Sequence, residues 1–333
     1  MSSNMLISII IPCFNCEQTI RRTVNSLLQQ NYDNVEIILV DDGSEDNTAS
    51  IIDDIGLEDT RIIVKHTSNQ GVSHARNIGI DLARGSFITF VDSDDELEPN
   101  ILLQAATVQK NSDADMVIFG HADIAAGKQS SNRHDYSIVN PIDLTFTQHD
   151  ETFFQVMFEL ERSRYLFSCW GKLIRKSWIG DTRFDSDIIY GEDTTWILTL
   201  LRRAGRVVAM PDVGYLYHQS SQGLLNSFSV KKAASIVKAH QQQARFYSWS
   251  QMSDEYQRFA QLRLTNDVVW ALQTAKTAPS SVSLQERMEF TRTLTRSPLR
   301  PIYMRNIKSA ATSKLLKILF ILDNSPLWSW YLR

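Results

Sequence analysis

An α/β fold, with a mostly parallel central sheet covered by helices on both faces, is the architecture that the sequence predicts. The first 120 residues alternate strand-length apolar runs with helical patterns. The runs are continuously apolar, as strands covered on both faces are. From about Val230 the pattern is helical to the end, so a helical extension follows the sheet.

Leu6 to Ile11 is β-branched and apolar and reads as the first strand, followed by a helix through Ile20, Val24, Leu27 and Leu28. Val35 to Val40 is the second strand, and a helix through Ile51, Ile52 and Ile55 comes after the polar stretch Asp41-Asp42-Gly43-Ser44. Arg61 to Lys65 reads as a third strand and Gly71 to Ala83 as a helix; Phe87 to Val91 is the fourth strand and Met116 to Gly120 a fifth. Periodicity fades between residues 121 and 147, and Gly127 to Asn132 has the composition of a mobile loop. An aromatic helical segment (Phe153, Phe154, Met157, Phe158) leads to Trp170-Gly171-Lys172-Leu173. Gly191-Glu192-Asp193 then opens a helix containing Trp196, Ile197, Leu200 and Leu201. Arg206 to Met210 is a strand, and Tyr215 to His218 ends this part. The chain thus divides into residues 1–120, 121–225 and 226–333, the last a helical extension.

With 333 residues, 43% of them hydrophobic and 22% charged, the composition is that of a globular protein larger than one ordinary domain. A net charge of −4 speaks against nucleic acid as the main partner. Three cysteines (Cys13, Cys16, Cys169) are too few for a disulfide framework and fit a reducing compartment. Cys13-x-x-Cys16 has a redox spacing, but Cys13 ends an apolar strand after Pro12, which favours small buried residues. The first residues lack a basic region followed by an apolar export segment, and no stretch reaches the ~20 apolar residues that span a bilayer. The expected location is therefore cytoplasmic.

The most informative stretch is Asp92-Ser93-Asp94-Asp95, directly after the fourth strand. Crowded carboxylates repel and are costly to desolvate, so a fold seldom gathers them without a counter-charge. A hard divalent cation such as Mg2+ or Mn2+, which prefers oxygen ligands and bridges carboxylates to phosphates, supplies one. The C-terminal edge of an open α/β sheet is where such folds bind ligands. A solvated acidic turn is the plainer alternative. Three further segments follow the preceding strands: Pro12-Cys13-Phe14-Asn15, Asp41-Asp42-Gly43-Ser44, and Asn69-x-Gly71 running to Arg76-Asn77-x-Gly79. A carboxylate at a strand end accepts hydrogen bonds from a base or ribose, and an arginine in the next helix neutralises a diphosphate. Each piece alone is also compatible with a turn, a cap or a surface ion pair.

In this order the motifs resemble the family-2 glycosyltransferases of the GT-A fold, inverting enzymes of bacterial polysaccharide synthesis. The matching residues are Ser8 to Asn15, Val40 to Ser44, Gly71 to Asn77, Val91 to Asp95, Trp170 to Leu173 and Gly191 to Asp193. The resemblance covers roughly residues 5–220, makes 1–120 a nucleotide-sugar-binding half and 121–225 an acceptor-binding half, and says little about the rest. It implies that Pro12, Phe14, Asn15 and Glu17 line a uridine-diphosphate pocket, with Asp42 facing the uracil and Arg76 nearby. Asp92 and Ser93 lie beside the ribose or metal, and Asp94 is the main ligand of Mn2+ or Mg2+. Asp95 binds metal, sugar hydroxyls or solvent. The Glu192-Asp193 pair supplies the base, with Asp193 taking the proton of the acceptor hydroxyl and Glu192 orienting it or binding the acceptor.

Several roles have an equally plain structural alternative. Glu192 and Asp193 are also what a helix N-terminus attracts, Trp170 is a sugar platform or a core residue, and Lys172 is a phosphate contact or a structural cation. His218 completes the metal shell or is structural. From Arg296 on, seven basic residues (Arg296, Arg300, Arg305, Lys308, Lys314, Lys317, Arg333) stand against one acidic, Asp323. Leu315, Ile318, Leu319 and Leu322 share a helical face, and Trp328, Trp330 and Tyr331 follow Pro326. Such a segment suits the surface of an anionic membrane or folds onto the protein's own core. The expected reaction is transfer from a UDP-sugar to a saccharide, preferably lipid-diphosphate-linked, at the inner membrane face. The rivals are a non-catalytic sugar-nucleotide-binding protein and a nucleotidyltransferase. A dehydrogenase is disfavoured because no Gly-x-Gly-x-x-Gly follows the first strand.

Overall fold

The computed structural model describes residues 5–125, 133–138, 141–219, 228–247 and 252–332; Gly127 to Asn132 lies outside them. In chain order, its first part runs β1 (Ile7–Cys13), α1 (Ile20–Leu28), β2 (Val35–Asp41), α2 (Thr48–Glu58), β3 (Ile62–His66), α3 (Val72–Leu82), β4 (Phe87–Phe90), β5 (Glu96–Leu97), α4 (Ile101–Ser112) and β6 (Met116–Ile124). It continues through β7 (Arg133–Tyr136), β8 (Ile142–Phe146), α5 (Glu151–Arg162), β9 (Lys172–Arg175), α6 (Lys176–Ile179), α7 (Glu192–Leu200) and β10 (Gly205–His218). The helices α8 (Val230–Tyr247), α9 (Asp254–Lys276), α10 (Leu284–Thr295), α11 (Arg300–Asn306), α12 (Lys314–Leu322) and α13 (Ser325–Leu332) follow.

Among the described residues ten strands form one sheet in the order β3-β2-β1-β4-β9-β6-β10-β5, with β7 on β6 and β8 on β10. The first four strands in that order are parallel, as is the pair β6–β10. Every residue of β1 and β2 is buried, the polar Ser8, Glu36 and Asp41 among their apolar neighbours included. Ile7, Ile9 and Ile11 join one face of the core with Ile20, Val24 and Leu27 of α1. Ile10 points the other way, where α3 rests so close that a Cβ on Gly79 would lie 2.2 Å from Ile10 Cγ2. Each fully buried isoleucine here contributes about 1.5–3 kcal/mol.

The antiparallel strand β9, inserted between β4 and β6, was not legible in Trp170-Gly171-Lys172-Leu173, which is too short to show a period. The two segments expected around Arg206 and Tyr215 are one irregular strand, β10, whose register shifts between Ala209 and Tyr215. β5, β7 and β8 are likewise short edge pieces that pair by position in the fold.

The chain folds as two compact units. One comprises residues 1–149, 156–186 and 196–220, and the other 150–155, 187–195 and 221–333. The first holds the sheet. The second is helical, with Phe153, Phe154, Phe246 and Tyr256 in mutual ring contact. Its helices are capped by their own sequence: Ser253 accepts from Tyr256 N, Ser283 and Glu286 form a capping box, and Ser313 accepts from Leu316 N. No helix among the described residues is long and apolar enough to cross a membrane. In α12, Leu316, Leu319 and Phe320 turn inward while Leu315, Ile318, Ile321 and Leu322 are exposed. In α13, Trp328 is buried and Trp330 is 64% exposed. The tail thus packs one side on its own unit and leaves an apolar side outward.

One buried charge locks the sheet to the turn before β4. Glu36 accepts from Ser8 Oγ at 2.6 Å, from Arg84 N and Nε at 2.5 and 2.8 Å, and from Gly85 N at 3.1 Å. Burial pushes its pKa up, but the Ser8 hydroxyl and the Arg84 donors outweigh that and hold it below the ordinary value. A carboxyl whose pKa is lower in the folded chain adds stability above its unfolded pKa, about 4.3, and loses it as pH falls through the folded value. Glu36→Gln is expected to cost about 1–3 kcal/mol at pH 7. Urea unfolding is expected to show that difference shrinking below about pH 4.

Candidate functional site

Parallel strands deliver the loops after β1, β2, β3 and β4 to one edge of the sheet, and the motif residues are on those loops. Pro12 is buried within β1 and Phe14 is 43% exposed just past its end. Asn15 adopts a left-handed backbone (φ +49), which asparagine tolerates. Its N–H donates to Ser44 Oγ at 3.0 Å and its Oδ1 accepts from Glu45 N at 2.8 Å. Glu17 Oε2 accepts from the backbone and side-chain amides of Asn47, at 3.0 and 2.8 Å. These bonds draw the Glu17 pKa below its usual range. Asp42 receives Gln70 N at 3.0 Å and Gly71 N at 2.7 Å, one on each oxygen. Gly43 (φ +71) allows this close approach, since a Cβ there would sit 2.7 Å from Asn69 N. The residues expected to touch a nucleotide therefore also stitch the loops to one another.

The acidic cluster follows β4. Arg76 of α3, almost wholly buried, sets its guanidinium 3.0 Å from Asp92 Oδ1 and 5.4 Å from the Phe184 ring centre. Ser93 O accepts the hydroxyls of Thr19 and Thr23, at 2.9 and 3.0 Å, so its backbone is fixed to α1 and the turn before it. Arg22 donates to the backbone oxygen of Asp94 at 2.5 Å. Burial pushes the Asp94 carboxyl up. Asp95 is fully buried: its Oδ2 accepts from the Tyr215 hydroxyl at 2.6 Å and its Oδ1 from His218 N at 2.8 Å. Burial, and then the charges of Asp92 and Asp94, raise its pKa well above the ordinary value. The Tyr215 hydroxyl also accepts from Asp92 N at 3.1 Å, so one phenol braces both ends of the cluster.

Among the described residues no three His, Cys, Asp or Glu side chains converge as a metal site. Mg2+ needs less than that, commonly one or two carboxylates with water and phosphate oxygens completing the shell. Asp92 and Asp94 are oxygen donors of this kind on one short loop, so the donor set fits a hard divalent ion. His218 Nε2 lies 2.8 Å from Glu96 Oε1, and Glu96 is paired with Arg22 at 3.1 Å.

Of the expected acceptor residues, Trp170, Lys172 and Asp95 are linked through shared partners. Trp170 stacks on Tyr215 (4.2 Å between centroids, 9° between planes) and on Tyr217 at 5.9 Å. Lys172 is 1% exposed and donates to the carbonyls of Ser168 and Trp170, at 2.7 and 3.1 Å. Asp95, as described, is inside the cluster. Glu192 and Asp193 are half-buried in the first turn of α7 and belong to the second unit. No role was legible in the sequence for Tyr215, Asn77 or Phe184. Asn77 clamps Phe184 through both its backbone groups (Nδ2 to O 2.9 Å, Oδ1 from N 2.8 Å), and Phe184 stacks on Trp196 at 4.5 Å. Nothing in the chain signals a partner more than 100 residues away.

The family model Glycosyl transferase family 2 matches residues 8–180. An uncharacterized glycosyltransferase of Bacillus subtilis, EpsJ, is 32% identical over 249 residues, which is 73% of this chain and 70% of that protein. The UDP-Glc:alpha-D-GlcNAc-diphosphoundecaprenol beta-1,3-glucosyltransferase WfaP of Escherichia coli is 48% identical over 91 residues, 27% of this chain and 36% of that protein. Among solved structures, residues 1–349 of S. aureus TarS in complex with UDP-GlcNAc align with a TM-score of 0.68 at 18% identity, covering 98% of this chain and 90% of that one.

Removing the brace tests the cluster. Tyr215→Phe strips Asp95 of one of its buried donors and is expected to lower stability by about 1–3 kcal/mol in denaturant unfolding at pH 7. An unchanged midpoint would contradict the bracing role.

Proposed function

The chain belongs to glycosyltransferase family 2 and is a hexosyltransferase of the GT-A fold, of the kind that acts in bacterial polysaccharide synthesis; from that premise we propose its donor, acceptor and chemistry. The donor is a UDP-sugar carrying a hexose or N-acetylhexosamine. The acceptor is a hydroxyl of a saccharide linked to a lipid diphosphate, in O-antigen, capsule or lipooligosaccharide assembly. The observation that carries this reading is the partly buried carboxylate cluster at the tip of β4, with Arg76 paired to Asp92 on the same sheet edge as the Asp42 loop. WfaP is named for a UDP-glucose donor and an alpha-D-GlcNAc-diphosphoundecaprenol acceptor, which supports the same two substrate classes here.

In this reaction Pro12, Phe14, Asn15, Glu17 and Asp42 hold the nucleoside and Arg76 lends positive charge to the diphosphate. The acceptor oxygen attacks the anomeric carbon as Asp193 takes its proton, and the bond from that carbon to the diphosphate breaks. UDP leaves with the electron pair, and the single displacement inverts the centre. Glu192 orients the base or binds acceptor hydroxyls. A divalent ion on Asp94 and Asp92 supplies, when bound, neutralisation of the charge gathering on the leaving oxygen.

A panel of UDP-sugars, with and without an undecaprenyl-diphosphate-linked saccharide, is the decisive experiment. UDP release that depends on the acceptor is expected; pyrophosphate release from UTP would establish a nucleotidyltransferase instead. Asp193→Asn is expected to lower kcat by about 10²–10⁴-fold, the usual worth of a positioned base. Excess EDTA is expected to stop turnover and added Mn2+ to restore it.

The helical tail fits the acceptor's location. Leu315, Ile318, Ile321, Leu322, Leu327 and Trp330 are exposed on α12 and α13, with Lys308 and Lys314 exposed nearby in the chain. Apolar side chains beside lysines suit an anionic cytoplasmic leaflet, each cation near the surface adding about 1 kcal/mol. Full-length protein is expected to float with phosphatidylglycerol vesicles, and Ile318→Glu/Trp330→Glu is expected to stay behind. Equal flotation of the two would remove the tail from this role.

A further inference from the structure

Residues 187–195, which carry the Glu192-Asp193 pair, pack in the helical unit, and the bonds that hold them are specific. Ser235 Oγ of α8 accepts from Ile189 N at 2.7 Å and from Tyr190 N at 3.2 Å. Two turns further along α8, Gln243 is 2% exposed, and its Nε2 donates to Thr195 Oγ1 at 3.0 Å and, at a longer 3.4 Å, to Gly191 O. Thr195 Oγ1 itself donates to Gly191 O at 2.7 Å. Its one proton is thus spent within the turn, and its lone pair faces the Gln243 amide. Arg263 of α9 donates to Gln243 Oε1 at 2.8 Å. A guanidinium accepts nothing, so it fixes which end of the amide faces α7. Arg263 is held in turn by Asp267, 3.5 Å away, which accepts the Tyr190 hydroxyl at 3.4 Å.

We propose that Gln243 is a positioning residue for transfer: through Thr195 and Gly191 it fixes the turn that aims Asp193, and Arg263 fixes Gln243. This rests on Asp193 being the base. The helical extension then contributes to the chemical step from within its own unit. A misplacement of the base by about 1 Å can cost about 10²-fold in rate without touching the nucleotide.

The test uses the full chain, with UDP as the binding probe and the best UDP-sugar of the panel as donor. Gln243→Met, similar in size and without donors, is expected to lower kcat about 10–100-fold while the Kd for UDP and the KM for the donor stay within about twofold. In an Asp193→Asn background the same change is expected to have no further effect. Thr195→Val is expected to reproduce the loss and Thr195→Ser, which keeps the hydroxyl, to restore it. This pair decides the matter if Gln243→Met does not fold. Wild-type kcat in Gln243→Met, or equal rates for the Val and Ser variants, overturns the proposal. Wild-type turnover in Asp193→Asn overturns the base assignment itself, and so separates the two failures.

Discussion

Everything at the sheet edge depends on holding three carboxylates, Asp92, Asp94 and Asp95, within four residues. Two unit charges about 4 Å apart repel by about 4 kcal/mol at an effective dielectric of about 20. Burial adds a desolvation cost. The fold meets part of this with the Arg76 guanidinium, the Tyr215 hydroxyl and the His218 amide. The remainder is visible as raised pKa values at Asp94 and Asp95. The site holds its shape because its braces come from β10 and α3 as well as from its own loop.

The loop residues around it do two jobs. Asn15, Glu17 and Asp42 accept from backbone amides of the neighbouring loops. Residues of the same motif that read as binding residues are therefore also what gives the edge its form. Lys172 is a sharper case: in the sequence it is a cation available to a phosphate, whereas in the fold its ammonium closes the turn between Ser168 and Trp170.

The helical unit shows how tertiary packing divides a sequence pattern. The apolar face read from Leu315, Ile318, Leu319 and Leu322 splits, with Leu319 packed inward and the other three exposed. Trp328 and Trp330, two residues apart in a helix, point to opposite fates for the same reason: about 200° of helical rotation separates them.

Much of the fold was legible because its signals are local. Continuous apolar runs such as Ile7 to Ile11 identify strands covered on both sides, and the Asp-, Asn- and Gly-bearing tips mark the edge where parallel strands end. The four strand-tip motifs, taken in order, identified the family, because each needs only its own few residues to be recognised. What tertiary structure alone decided is pairing across distance. The strand β9 enters the sheet between β4 and β6, Tyr215 meets Asp95 from 120 positions away, and Gln243 reaches Thr195 from 48. A phenol, an amide or a four-residue strand has no period and no fixed spacing to announce its partner; only the path of the chain brings them into hydrogen-bonding distance.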